Sequence, residues 1–178
     1  MIVFINGAFG AGKTTTAKRL QERLPNSLLY DPEEVGFMLR AILKPIEWSG
    51  DFQDYPEWRK LVPATAQALI EQRKRILIIP MTIWREDYFL EVTEGLRRVD
   101  TDFQHFCLTA PVEIIHERLK RRGEQQEGTW AFQQAYKCVE AFESDIFDER
   151  IDSVGADTDQ IVGHILGRIE AIKRRRCV

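Results

Sequence analysis

Hydrophobic positions along the chain gather into five short runs: Ile2 to Ile5, Ser27 to Tyr30, Arg75 to Ile79, Asp102 to Leu108 and, more weakly, Arg150 to Val154. Short, nearly continuous apolar runs of this kind are the signature of strands buried on both faces. Between them the apolar residues recur at three and four residue steps. That alternation predicts an α/β fold, a five-stranded parallel sheet covered by helices. Thr14 to Leu24 is rich in helix formers and meets no Gly or Pro before Pro25. Pro111 suits a first helical position ahead of Val112, Ile115 and Leu119, and Asp157 stands three residues before Gln160, the spacing of a reciprocal cap. Ile161, Ile165 and Ile169, with Val162, Leu166 and Ile172, form one stripe, with His164, Arg168 and Glu170 away from it. Such a helix packs on a sheet. The least regular stretches are Lys44 to Pro56 and Gly123 to Gly128. No repeat or low-complexity linker divides the 178 residues, so residues 1–178 read as one domain.

The first strand breaks into a distinctive loop. Gly7, Gly12, Lys13 and Thr14 match G-x-x-x-x-G-K-[ST], the loop that wraps nucleoside triphosphate phosphates, and they stand between a strand and a helix as that loop requires. Its glycines let backbone amides approach phosphate oxygens, and the helix presents its positive end. The residues expected to bind ATP or GTP are Gly7, Ala8, Phe9, Gly10, Ala11, Gly12, Lys13, Thr14 and Thr15. Lys13 should reach the β and γ phosphates and the Thr14 hydroxyl should ligate Mg²⁺.

Ligands of such sheets lie beyond the carboxyl ends of the strands. Asp31 ends the second run and is the candidate general base and second metal ligand, with Glu33 two residues on. An Asp-Pro pair also suits a helix N-cap, and the two roles are compatible. The third run ends Ile79-Pro80-Met81-Thr82 without an acidic residue, so the metal would lean on Thr14, Asp31 and water. Arg118, Arg121 and Arg122 precede a Gly-bounded segment. Either a flap carries Arg118 and Arg122 over the transferred phosphate, or the arginines close a solvated helix end. An acceptor pocket could be built from Glu33, Arg40, Asp54, Tyr55, Trp58, Arg59 and Thr82, although the aromatic members also suit a core. Trp84 and Arg85 are open to both readings. His105 and His116 lie inside elements, where structural roles are expected.

A formal net charge of −3 and a pI near 5.7 argue against nucleic acid as a partner. Three widely spaced cysteines, Cys107, Cys138 and Cys177, suggest neither a disulfide framework nor a zinc site, in keeping with a reducing cytoplasm. The amino-terminal stretch has no signal-peptide pattern, and no apolar run approaches a membrane span. The D-x-x-G and N-K-x-D elements of guanine-nucleotide switches are missing from the sequence.

Taken in order, INGAFGAGKT, YDPEEVGFMLR, DFQDYPEWR, ILIIPMTI with Tyr88 and Phe89, HFCLTA, and ERLKRRGE with Trp130 resemble the bacterial tunicamycin-resistance proteins from Met1 to about Phe147. The resemblance implies an ATP-binding protein with a nucleotide-kinase-like, three-layer fold and a short lid at about residues 118–130. It also implies protection against a nucleoside antibiotic built of uridine, sugars and an acyl chain. The chain is similar in plan, more distantly, to chloramphenicol phosphotransferase, which makes phosphorylation of a drug hydroxyl with an Asp base plausible. Binding that closes around the drug without chemistry is the alternative, and a housekeeping nucleoside or nucleotide kinase is a third. Members of the family can meet membranes through an amphipathic C-terminal segment. Here the chain ends Lys173-Arg174-Arg175-Arg176-Cys177-Val178, a basic cluster that suits either peripheral contact with anionic lipid or a solvated helix terminus.

Overall fold

In the computed structural model, which describes residues 1–44, 46, 50–123 and 130–176, each of the five apolar runs forms a strand. They are β1 (Ile2–Gly7), β2 (Ser27–Leu29), β3 (Ile76–Pro80), β4 (Phe103–Thr109) and β5 (Arg150–Asp152). All pairings are parallel, in the order β2-β3-β1-β4-β5. β1 is central: Ile2 sits level with Leu77 of β3 on one side and with Phe103 of β4 on the other.

The pleat sends successive side chains of β1 to opposite faces. Ile2 and Phe4 join one core, and Val3 and Ile5 join the other. The Val3 side is covered by α1 (Lys13–Arg23) and α7 (Thr158–Arg176), through Leu20, Ile161, Ile165 and Ile169. On the Phe4 side lie α2 (Glu33–Leu43), α3 (Pro56–Arg73), α4 (Glu86–Val99), α5 (Val112–Arg121) and α6 (Trp130–Ala141). Each fully buried Leu, Ile or Phe contributes about 2 kcal/mol, so both layers hold the sheet. The three-layer expectation holds.

Local signals held where they were strong. Asp157 Oδ1 accepts the Gln160 amide at 2.8 Å, and Gln160 Oε1 accepts the Asp157 amide at 2.8 Å, which makes the reciprocal cap. Pro111 stands one place earlier than expected, as the cap residue of α5. The irregular stretch after α2 contains a 3₁₀ turn at Phe52–Asp54, started by the Asp51 side chain accepting the Gln53 amide at 2.9 Å. Of the expected lid, residues 124–129 lie outside the described residues, as does Cys177. No described helix is long and apolar enough to cross a membrane.

Candidate active site

The carboxyl end of β1 is tied down before the glycines begin. Asn6, fully buried, donates from Nδ2 to the Ile83 carbonyl at 2.9 Å, while its Oδ1 accepts the Ile83 amide at 3.0 Å and the Gly7 amide at 2.9 Å. The Thr82 hydroxyl donates to the Gly7 carbonyl at 2.9 Å. These bonds fasten the start of the loop to the segment after β3. Gly7 must stay glycine, since at φ +147° a Cβ would stand 2.6 Å from the Leu108 carbonyl oxygen. Gly12, at φ +102°, meets nothing within 4 Å and leaves the mouth of α1 open. The amides of Lys13, Thr14 and Thr15 begin α1 and have no partner within a helix, as an anion cradle requires.

Lys13 folds back over this loop, its Nζ donating to the Ala8 carbonyl at 2.9 Å and standing 5.5 Å from the Phe9 ring centre. Lys13 is half-buried, and desolvation of its ammonium lowers its pKa to about 8. The Glu33 carboxylate opposes the shift, and Arg122 adds to it. The Cys107 and Cys138 thiols are pushed up to about 12 by burial, so they remain protonated.

Asp31 and Glu33 arrive together at the carboxyl end of β2. Asp31 Oδ1 accepts the Glu33 amide at 3.0 Å from one place ahead of Pro32, the cap residue of α2, which leaves its second oxygen for other work. Glu33 feels Lys13 electrostatically, and its pKa is raised, first by burial and then by the neighbouring Asp31 charge.

Arg118 corrects an expectation. Its guanidinium donates to Ser153 Oγ at 3.0 Å, to the Ser153 carbonyl at 2.7 Å and toward the Gly10 carbonyl at 3.4 Å. It is committed to the loop after β5, so it is not a mobile flap residue. Arg121 pairs with Glu117. Arg122, next to Gly123, remains within electrostatic reach of Lys13. Gly10, Gly12, Arg118, Arg122, Ser153 and Thr158 line a cleft of about 530 Å³, which runs from the loop to the start of α7.

On the opposite side of the loop lies a second cavity of about 370 Å³, bounded by Asp51, Asp54, Trp84, Tyr88, Trp130 and Gln134. Asp54 accepts the Tyr88 hydroxyl at 3.0 Å. The Tyr88 ring lies 4.1 Å from the Arg59 guanidinium carbon and 3.9 Å from that of Arg85. Arg59 also bonds Glu91 and the Gln53 carbonyl, while Arg40 bonds the Gly50 carbonyl at 3.1 Å and stacks on Phe52. These two arginines shape the wall from behind. Trp130 meets Phe9 edge-on at 5.1 Å, joining α6 to the phosphate loop.

Three expected pocket residues are corrected. Trp58 is fully buried, with Nε1 donating to the Pro32 carbonyl at 3.0 Å, and Tyr55 is equally enclosed. Both are core, and from the adjoining turn it is Asp51, Gln53 and Asp54 that face the cavity. Thr82, 2 % exposed, acts on the loop through Gly7 rather than on a ligand. The histidines are structural as expected: His105 packs against Phe4 and Phe89, and His116 against Phe132 and Tyr136. Sequence reasoning missed Asn6, Ser153 and Gln134. Asn6 carried a signal, a polar residue ending an apolar strand just before the first glycine. Ser153 and Gln134 carried none that distinguishes them from surface residues.

A family described as an AAA domain matches residues 2–137. No curated protein matches the chain. Among solved structures, the tunicamycin resistance protein of Deinococcus radiodurans is 30% identical over 95% of both chains, with a TM-score of 0.79. A sugar kinase from Janibacter sp. HTCC2649 is 18% identical over 95% of this chain and 94% of its own, with a TM-score of 0.68. Shikimate kinase from Acinetobacter baumannii is 17% identical over 97% and 94%, with a TM-score of 0.62. The last two are alike in fold.

Proposed function

Since the chain belongs to the AAA-domain family and to the tunicamycin-resistance proteins, we propose that it transfers the γ-phosphoryl group of ATP to a hydroxyl of a small polar acceptor, in the first instance a tunicamycin-like nucleoside antibiotic. The observation that carries this reading is the open phosphate loop, whose Gly10 and Gly12 line a cleft of nucleotide size, with the Lys13 ammonium and the Glu33 carboxyl within electrostatic reach of each other. The kinase names among its fold neighbours agree with it.

The cleft from Gly10 to Thr158 takes the nucleotide, with Arg118 and Ser153 forming its outer wall. Lys13 turns from the Ala8 carbonyl to the β and γ phosphates, and Arg122 adds positive charge there. Mg²⁺ fits the Thr14 hydroxyl and the second Asp31 oxygen, hard donors that leave room for the waters it retains, and when bound it would neutralise phosphate charge. The acceptor enters the second cavity. Its hydroxyl oxygen bonds to the γ phosphorus as the bond to the ADP oxygen breaks, and the hydroxyl proton passes to a carboxylate. We assign that proton to Glu33, whose pKa burial raises.

ATP-dependent sequestration is the second reading. It is favoured by the segment after β3, which offers Thr82 where an acidic residue would assist phosphoryl transfer, and Thr82 is bonded to Gly7. Mass spectrometry of tunicamycin incubated with protein, ATP and Mg²⁺ separates the two. Transfer predicts a phosphate added to many drug molecules per protein, with matching ADP. Saturable one-to-one binding with unchanged drug mass would replace it with sequestration.

A further inference from the structure

The wall of the second cavity contributed by α6 has a role beyond closing it. Trp130, Gln134 and Lys137 stand at i, i+4 and i+7, one stripe of the helix, and all three line the cavity. Gln134 is 9 % exposed, yet among the described residues its carboxamide has no hydrogen-bond partner. Its polar atoms are not sealed from solvent, so they open onto the cavity and are available to a ligand or water. Lys137 lies with its ammonium 5.6 Å from the Trp84 ring centre and has no ion-pair partner among the described residues. Neighbouring polar groups are committed elsewhere. The Gln53 amide donates to the Thr82 carbonyl at 3.0 Å, Asp54 accepts the Tyr88 hydroxyl, and Arg85 grips Asp87. The uncommitted capacity of this wall is therefore one amide, which both donates and accepts, and one ammonium, which donates. Asp51 stands across from them, its pKa raised by burial.

We propose that this stripe reads the acceptor and that the ring it reads is a pyranose-type sugar. The inference rests on the phosphotransferase reading for calling the occupant an acceptor, but its binding chemistry stands on the cavity itself. Sugar hydroxyls both donate and accept, which matches a carboxamide, an ammonium and a carboxyl placed around one space. Their C–H faces lie on indole, and Trp130 supplies it. A flat nucleobase would want a slot between two aromatic faces, whereas the Trp84 face is already taken by the Lys137 ammonium. Gln134 and Lys137 are thus specificity residues, and Trp130 is the platform, coupled through Phe9 to the phosphate loop.

The test is saturation-transfer NMR on the full chain with a non-hydrolysable ATP analogue, using methyl glucoside, N-acetylglucosamine and uridine as separate probes. The sugars should receive saturation and should shift the indole signals of Trp84 and Trp130, with uridine much weaker. Gln134→Leu should raise the sugar dissociation constant by about tenfold while leaving the affinity for the ATP analogue within twofold, since it removes one buried bonding group from that cavity alone. Lys137→Met, an exposed change that does not threaten folding, should raise it by about threefold. The proposal is overturned if uridine engages the indoles in preference to both sugars, if no probe does, or if Lys137→Met and a folded Gln134→Leu bind sugar as wild type does. Gln134-dependent sugar binding without ADP or phosphorylated product would leave it standing and remove the phosphotransferase reading instead.

Discussion

At Lys13 the physics of one side chain sets a measurable property of the site. A desolvated ammonium with a pKa of about 8 is charged at pH 7 and loses its proton as the pH rises through 8, so triphosphate affinity should fall by up to tenfold per unit above that point. Bound phosphate favours the charged form, so binding at pH 8 should draw a proton from solution. Calorimetry in buffers of different ionisation enthalpy reads that uptake, and zero uptake would refute a desolvated, depressed lysine. Lys13→Ala should abolish nucleotide binding altogether. The two carboxylates after β2 divide differently: Glu33→Gln should slow transfer by about 10² to 10⁴ with ATP affinity nearly unchanged. Asp31→Asn should cost less in rate and more in Mg²⁺ dependence, and a reversed order in a stopped assay would return the base role to Asp31. Lys13, Thr14, Asp31 and Glu33 could be proposed from the sequence because motif spacing and strand ends are local features. Sequence reasoning misplaced Arg118, Tyr55 and Trp58, since whether an arginine or an aromatic faces a ligand or a neighbour depends on partners such as Ser153 and Pro32 that are remote in the chain.

Elements were legible to the extent that each carried its own period. The five strands and the capping box of α7 came from pleat and helix spacing alone, whereas the cavity is made by α6, the 3₁₀ turn and the start of α4, three segments joined by no local signal. The contact that sets the turn is Gly36 of α2 against Phe52. A Cβ there would lie 2.4 Å from the Phe52 ring, which is packed between Trp58 and Phe37. Gly36→Ala should therefore push the turn that carries Asp51, Gln53 and Asp54. The expected outcome is a loss of about 1 to 3 kcal/mol by denaturant unfolding. A rise in acceptor KM larger than any change in ATP KM should accompany it, because the phosphate loop is anchored separately through Asn6 and Thr82. Equal changes in both constants would mean that the turn and the loop move as one.

Across the whole molecule, the sheet has a hydrophobic layer on each side, and the layer under α4 encloses the imidazole of His105. This residue of β4 is packed by Phe4 and Phe89, and neither ring nitrogen has a side-chain hydrogen-bond partner among the described residues. Burial lowers its pKa to about 4, and the nearby Arg97 acts in the same direction; the backbone of Asp148 opposes them. A depressed histidine pKa means that the unfolded chain takes up the proton first as the pH falls. Stability is therefore unaffected by this group above its ordinary value near 6.5 and is lost as the pH drops from 6.5 toward 4, by up to about 3 kcal/mol. Below 4 the penalty is complete and no longer grows. His105→Leu, apolar and similar in volume, should keep the layer filled and remove that part of the slope. Urea unfolding at intervals between pH 4 and 7 measures it as the difference between the two proteins. Parallel curves for wild type and variant would show that His105 titrates in the fold as it does in the unfolded chain, and that the acid sensitivity of the fold arises from its carboxylates instead.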